Sequence, residues 1–357
     1  MESELKEILQ QFLELEHSPT FQRLGKGHIH QTLLVEVFVK GKKQKYVLQQ
    51  INNQVFTNPL DLMQNLEEIV HHLQQRKKYP LAILTPMLTR QGELCFQSGD
   101  KNYWRLFPFF ENTFTVNKVK NLKQAFHAAK AFGQFSKALS DFPTEVLVPI
   151  LPDFHNSPKR YNHYKSVLQQ AVQIRLESAV EVIHFVEKNA FLFDLIQQLS
   201  LPLRVVHNDT KIDNVLLKKE TGEGYCVIDL DTVMPDTILA DFGDMVRTFT
   251  NSEAEDSTDY HKVVARIEIF DALCKGYLSE VKVMLTLEEK ENLLEGAKWI
   301  ILEQCLRFLT DYLANDVYYP TKYPTHNLVR ASNQMHLFQS IVQQEEEMKK
   351  QIKKSLI

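Results

Sequence analysis

The chain has no long apolar run: nowhere do eighteen consecutive apolar residues occur, which excludes a membrane-spanning helix. Cysteine is scarce and dispersed. Cys95, Cys226, Cys274 and Cys305 form no C-x-x-C pair, which argues against a zinc site or a disulfide framework and fits reduced thiols in a cytoplasmic enzyme. A basic excess is also missing, and a formal charge of -4 argues against a nucleic-acid-binding surface. The N-terminal stretch MESELKEILQQFLELE lacks the basic start and continuous apolar core of a signal peptide; Leu5, Ile8, Leu9 and Phe12 make it an amphipathic helix. There is no tandem repeat, no low-complexity linker and no G-x-x-x-x-G-K-[ST], so P-loop nucleotide chemistry is excluded. What is present is a chain of 357 residues, 44% hydrophobic, long enough to bury a sizeable core in two lobes.

Hydrophobic periodicity divides the chain. Residues 33–39 and 45–51 are rich in branched residues and turn at Gly41, which predicts a hairpin. Asn58-Pro59 opens a helix with Leu62, Leu66, Ile69, Val70 and Leu73 at helical spacing. Segments 81–88, 93–96 and 102–109, with turns at Gly92 and Ser98-Gly99-Asp100, complete a small sheet. Beyond Pro108 long helices are expected over 118–140, 158–199, 254–281, 287–314 and 326–352, interrupted by short strands at 215–217 and 225–228. The expected fold is therefore α+β and bilobal, like a protein kinase. A small antiparallel-sheet lobe over 1–108 is joined through 106–112 to a larger, mostly helical lobe over 109–357.

The chemistry concentrates in HNDTKIDN (207–214) and the VIDLD that follows at 227–231. His207, Asp209 and Asn214 fit H-x-D-x-x-x-x-N, in which the Asp takes the proton of an acceptor hydroxyl and the Asn holds Mg²⁺. Asp229 ends an apolar run, where a strand would deliver a second carboxylate to the metal. Phosphoryl transfer asks for little else than a base, metal ligands and a phosphate clamp. Asp209 and Lys211 are thus the catalytic candidates, Lys211 as a point charge for the γ-phosphate. Asn214 and Asp229 are the candidates for Mg²⁺, and His207 is expected to brace the loop backbone. Asp231 alternates with Asp229 and in an extended segment would point to the opposite face, so both could ligate Mg²⁺ only if the strand has ended by Leu230; Asp229 is the first choice for the metal, with Asp231 as a support for the site or a substrate contact.

DFGDMVRT (241–248) is like a kinase D-F-G only in spelling, because Asp229 already occupies the strand-end position. Asp241 and Asp244 are read as helix N-terminal charges or brackets for the catalytic loop. For ATP, the candidates are Gly25 and Gly27 in LGKGH, Gln49 at the third-strand position where a kinase has Lys, and Phe107 and Phe109 beside the connection. Glu67 or Glu68 would be the helix partner of such a Lys. Arg307, on a helix whose apolar face includes Ala297, Ile301, Phe308 and Tyr312, reads from its position alone as an exposed or capping arginine.

These residues resemble the aminoglycoside-phosphotransferase and choline-kinase superfamily. GHIHQT (27–32), YVLQQIN (46–52), HNDTK (207–211), VIDLDTVMP (227–235), LEQCLRFLTDYL (302–313) and YPTHNLVRASNQ (323–334) are similar, more narrowly, to the N-acetylhexosamine 1-kinase family. The resemblance spans most of the chain. It implies transfer of the γ-phosphoryl of ATP, with Mg²⁺, to the anomeric hydroxyl of an N-acetylhexosamine. It further implies that Arg307, Tyr318, His28 and His30 contact the sugar and that Gln at position 49 is compatible with activity. The expected partner is a small-molecule sugar, with neither nucleic acid nor membrane involved. A kinase for choline, homoserine, an aminoglycoside or another sugar is the alternative in the same class, and a nucleotide-binding pseudokinase scaffold the alternative outside it. A cationic acceptor would call for an acidic cleft.

Overall fold

The computed structural model describes residues 2–24 and 29–357. Gly25, Gly27 and His28, three of the candidates named above, lie outside the described residues. A five-stranded antiparallel sheet in the order β1-β2-β3-β5-β4 comprises β1 (Thr20–Arg23), β2 (Gln31–Val39), β3 (Lys42–Ile51), β4 (Phe96–Ser98) and β5 (Asn102–Pro108). The β2–β3 turn is Lys40-Gly41, both at positive φ (51° and 70°), the two-residue turn whose twist suits a hairpin. Period-two alternation separates the faces. Leu33, Val35, Val37, Leu48, Trp104 and Leu106 bury one of them against α1 (Glu2–Gln10), whose Leu5, Ile8 and Leu9 form its buried stripe. Gln49, Arg105 and Phe107 alternate with Leu48, Trp104 and Leu106 and so belong to the other face, toward α2 (Pro59–Gln75) and the helical part.

The segment 81–88 expected as a strand is not one. Pro80 and Pro86 deny it ladder donors, and it makes only isolated bridges, Ala82 with Cys226 and Met87 with Leu106. The strand expected at 93–96 starts only at Phe96.

After β6 (Thr113–Phe114) the chain turns helical: α3 (Leu122–Ala138), α4 (Ser157–Gln170), α5 (Gln173–Ser178), α6 (Val180–Asn189) and α7 (Phe191–Gln198). The single helix expected over 158–199 is thus four, the first break falling where Ala171 and Val172 turn extended. The site segment carries β7 (Arg204–Val206), the hairpin β8 (Val215–Lys218) and β9 (Gly224–Val227), and β10 (Met234–Asp236), which pairs with β7. α8 (Ile238–Thr250), α9 (Ile267–Val281), α10 (Leu287–Glu291), α11 (Leu293–Leu313), α12 (His326–Gln343) and α13 (Glu345–Leu356) finish the chain. The helix expected from 254 begins only at Ile267, because 251–266 form a loop closed by the Asn251–Ala265 bridge and by Arg266, which donates to the carbonyls of Phe249 and Val119. Gln344 likewise divides the last predicted helix into α12 and α13.

The D-F-G string owes its glycine to packing. Gly243 lies inside α8, where a Cβ would stand 2.6 Å from the carbonyl oxygen of Gly296 on α11 and 2.8 Å from Cγ1 of Ile300. Two backbones in contact leave no room for a methyl group. Gly243→Leu is expected to cost about 1–3 kcal/mol or more by overpacking, read as a lower midpoint in thermal or urea unfolding.

One apolar core runs through both parts. It joins Ile51, Leu62, Leu66 and Phe107 of the sheet side to Phe132, Phe242 and Leu306 of the helices. Asn65 of α2 reinforces the junction by donating to the carbonyl of Val148 (2.7 Å) and accepting from its N–H (2.9 Å). Among the described residues no helix is long and apolar enough to cross a membrane.

Candidate active site

The catalytic loop leaves β7 at His207 and is held mainly by backbone hydrogen bonds. The buried carboxylate of Asp241, in the first turn of α8, accepts the N–H of His207 (3.0 Å) and of Asn208 (2.7 Å), and its own carbonyl accepts the Thr210 hydroxyl (2.7 Å). Asp241 thus brackets the loop, as the sequence suggested. Burial, set against the charge of His207 and these bonds, lifts its carboxyl to about 6. Asn208 is left-handed (φ 63°), and its side-chain amide donates to the Thr232 carbonyl at 3.0 Å. His207 is fully buried. Its Nε2–H donates to the Ile228 carbonyl (3.0 Å) while Nδ1 accepts from the N–H of Asp209 (3.3 Å), so the ring braces the loop.

Asp209 Oδ2 accepts from Lys211 Nζ (2.8 Å) and from Asn214 Nδ2 (3.0 Å). Burial alone would raise its carboxyl. The neighbouring Lys211 ammonium outweighs burial and holds it below the ordinary carboxylate range, so it is an ionised proton acceptor. Lys211 also stands 4.0 Å from Asp229 Oδ2, and the two carboxylates raise it against the effect of burial. With its Nδ2 turned to Asp209, Asn214 leaves Oδ1 accepting no hydrogen bond among the described residues.

Asp229 does not continue the strand. β9 ends at Val227, and Asp229 is left-handed (φ 61°, ψ 55°), a conformation costing on the order of 1–3 kcal/mol outside glycine. The turn it makes aims its carboxylate toward Lys211 and leads into a short 3₁₀ turn at Leu230–Thr232. Burial, together with the charge of Asp231, raises the Asp229 carboxyl to about 6. The carboxylates of Asp209 and Asp229, both close to Lys211, and the free amide oxygen of Asn214 are hard oxygen donors, a set whose chemistry fits Mg²⁺ with water completing the shell.

Asp231 is only 4% exposed. Its carboxylate is buried and takes a two-pronged hydrogen bond from Arg105 of β5 (both 2.7 Å), and it accepts His30 Nε2 at 2.6 Å. His30 is therefore occupied as well. Its Nδ1 accepts from the N–H of Asn52 (3.1 Å), and its ring stacks on Phe56. Gln49 Oε1 accepts from Nε (3.0 Å) and Nη2 (2.9 Å) of Arg105, so the position of the expected Lys is filled by a partner of an arginine one strand over. Glu67 is exposed and Glu68 half-buried, and neither makes an ion pair among the described residues. Arg105 is the principal residue that sequence reasoning missed. Its signal was a lone charge in the otherwise apolar strand NYWRLFP.

Phe107 is buried in the core beneath the Arg105 guanidinium (5.1 Å), while Phe109 is half-buried beside Lys45. A group of arginines gathers around Arg247. Arg247 feels the charge of Asp209 and is paired with Asp244 (2.8 Å) and Glu255 (3.1 Å). Arg330 shares Glu255 (2.9 Å). Arg307 is within electrostatic range of Arg247 and of Arg160. It lies over the rings of Phe154 (5.6 Å) and Tyr319 (5.7 Å) with no carboxylate partner among the described residues. It is neither exposed nor a cap, contrary to the reading from its helical position alone. Tyr318, two-thirds exposed, follows the left-handed pair Asn315 and Asp316, in a loop pinned by the Asp311 carboxylate to the N–H groups of Tyr318 and Tyr319. Buried His155 donates Nδ1–H to Glu303 (2.8 Å). Burial disfavours its charge, but Glu303 prevails and lifts it above the ordinary histidine range.

Known structures share this architecture. A microcompartment-associated aminopropanol kinase superposes with a TM-score of 0.61 at 14% identity, over 96% of this chain and 98% of its own. A spectinomycin phosphotransferase in complex with ADP and spectinomycin gives 0.60 at 17%, over 97% and 98%. The choline kinase of Cryptosporidium parvum Iowa II gives 0.57 at 13%, over 99% and 98%. At these identities the likeness is one of fold: the kinase-like combination of an antiparallel sheet and a helical part. The family model described as "Phosphotransferase enzyme family" matches residues 20–269, from the first strand through the catalytic loop and the Asp229 turn into α9. The chain belongs to the phosphotransferase enzyme family.

Proposed function

We propose that this enzyme transfers the γ-phosphoryl group of ATP to a sugar hydroxyl, the anomeric O1 of an N-acetylhexosamine. The observation that carries the reaction type is the ionised Asp209, fixed by Lys211 and Asn214 beside Asp229. Asp209 accepts the proton of the acceptor hydroxyl as its oxygen bonds to the γ-phosphorus. The bond from that phosphorus to the bridging oxygen breaks, and ADP leaves. Lys211 exchanges its carboxylate partner for the charge on the transferring group. Asn214 and Asp229 would hold Mg²⁺, which would neutralise phosphate charge. Residues 1–108 form the nucleotide lobe and 109–357 the acceptor lobe, with Phe109 at the connection offered to the adenine. Four free, buried thiols accord with a cytoplasmic enzyme.

The acceptor side favours a neutral substrate. Aminopropanol, spectinomycin and choline, named for the three similar structures, carry amino or ammonium groups. Here Arg307 is within electrostatic range of Arg160 and Arg247, Arg247 and Arg330 share Glu255, the nearby Asp244, Glu255 and Glu303 are already paired, and Arg307 has no ion-pair partner among the described residues. A cation entering would meet Arg307 without an ion-pair partner, whereas an acetamido or hydroxyl oxygen can accept from Arg307. The test is ADP release with Mg-ATP across N-acetylglucosamine, N-acetylgalactosamine, glucose, choline, homoserine and an aminoglycoside. Turnover confined to the N-acetylhexosamines is expected, and turnover of the amines alone would overturn the reading. Arg307→Ala is expected to raise the acceptor KM about 10- to 100-fold with the ATP KM unchanged, the scale of one lost hydrogen bond from a charged donor.

A further inference from the structure

The carboxylate of Asp231 joins three parts of the molecule distant in sequence. Arg105 comes from the middle of β5 in the N-terminal sheet, 126 residues away, and His30 from immediately before β2, 201 residues away. Asp231 itself lies in the 3₁₀ turn that Asp229 begins. Every strong donor of Arg105 is engaged: Nη1 and Nη2 on Asp231, and Nε with Nη2 on Gln49, whose own Nε2 donates to Thr32 on β2. Arg105 is only 2% exposed, so it has no donor left for a phosphate. Its charge is spent on the turn that presents Asp229.

We propose that Asp231 is a positioning residue that locks the metal-ligating turn to the N-terminal sheet. This rests on the reading of Asp229 as a metal ligand. A left-handed Asp229 persists only if the chain on both sides of it is fixed. On one side the N–H of Ile228 donates to the Asn214 carbonyl (2.9 Å), and the Ile228 carbonyl accepts from His207. On the other, Thr232 donates to the His207 carbonyl (2.8 Å), and Asp231 is clamped by Arg105 and His30. The first three of these contacts stay within the catalytic segment. Of these contacts, the Asp231 clamp is the one that reaches the sheet. It also reaches His30, two residues past the segment 25–28, so the sheet, β2 and the metal turn share one buried anchor. Two parallel N–H···O bonds fix direction as well as distance, which a lysine could not do.

The test compares the full-length wild type with two variants: Arg105→Lys, and the double change Arg105→Met with Asp231→Leu. The double change removes both charges together and so leaves neither one buried alone. ADP binding is measured by calorimetry with and without Mg²⁺, and steady-state rates are measured against Mg²⁺, ATP and acceptor. The variants are expected to bind ADP without Mg²⁺ as the wild type does, but to lose about tenfold in affinity for Mg-ADP. They should require about tenfold more Mg²⁺ for half-maximal rate at an unchanged acceptor KM. A merely structural role would lower the unfolding midpoint without that selective Mg²⁺ shift. Wild-type Mg²⁺ dependence in either folded variant overturns the positioning role alone. A wild type whose ADP binding ignores Mg²⁺ overturns the metal assignment of Asp229, and the positioning role with it.

Discussion

Asp209→Asn is expected to lower kcat by roughly 10²–10⁴-fold, the usual contribution of a positioned base, while ADP affinity changes little. The isosteric amide can keep the hydrogen bond to Asn214 only by rearranging. It cannot take up a proton, and it deprives Lys211 of its 2.8 Å ion-pair partner. The KM for the acceptor should change less than kcat, because the interaction lost is one made as the hydroxyl deprotonates. Steady-state kinetics alongside calorimetry of ADP binding checks both halves. Near-normal turnover would remove Asp209 from the role and leave the hydroxyl to be activated by positioning alone.

The second large effect is expected at Asp229. Asp229→Ala removes the carboxylate that the left-handed turn aims at Lys211. Loss of a metal clamp on a transferring phosphoryl group costs several kcal/mol, which corresponds to about 10²–10⁴-fold in rate. Unlike Asp209→Asn, this change should weaken Mg-ADP binding as well as turnover. Because a non-glycine residue at φ 61° is strained, Asp229→Gly would relieve the backbone while still deleting the ligand. That variant should unfold at least as high as Asp229→Ala and be equally inactive. An active Asp229→Gly would show that the carboxylate is not needed.

The parts of this site legible in the sequence are those whose geometry is local. HNDTKIDN fixes Asp209, Lys211 and Asn214 within one loop, and the structure brings those three together because few bonds separate them. The strand-end place of Asp229 was legible too, since an apolar run stopping at an acid is a local pattern. Its left-handed backbone was not, because nothing in I-D-L-D announces a positive φ. Asp231 could not be assigned from sequence for a different reason. Alternation places it opposite Asp229 only in an extended strand, and the strand has already ended. The pairing of Gln49 with Arg105 depends on strand register, which brings position 49 opposite position 105 across β3 and β5. An absent lysine read as a missing charge, whereas the charge had moved one strand across the sheet and been committed to the opposite side of the cleft.

The fold divides in the same way. Amphipathic helices such as α1 and α2 declare themselves by spacing, and the β2–β3 hairpin by its turn. Breaks within continuous helical patterns, at Ala171 or Gln344, carry no proline or glycine to mark them and follow from how the segments pack. Arg307 belongs with these tertiary effects. On its own helix it lies off the apolar face, and only the folding of Phe154 and Tyr319 over it turns a surface position into a lined one.

The most direct measurement is the identity of the phosphorylated product, by ³¹P and ¹H NMR, after incubation of the enzyme with Mg-ATP and N-acetylglucosamine or N-acetylgalactosamine. A parallel incubation with choline and an aminoglycoside serves as comparison. The account predicts stoichiometric ADP and a phosphorus signal coupled to the anomeric proton of the sugar, with the amines untouched. Phosphorylation of the amines with the sugars left unmodified would contradict it.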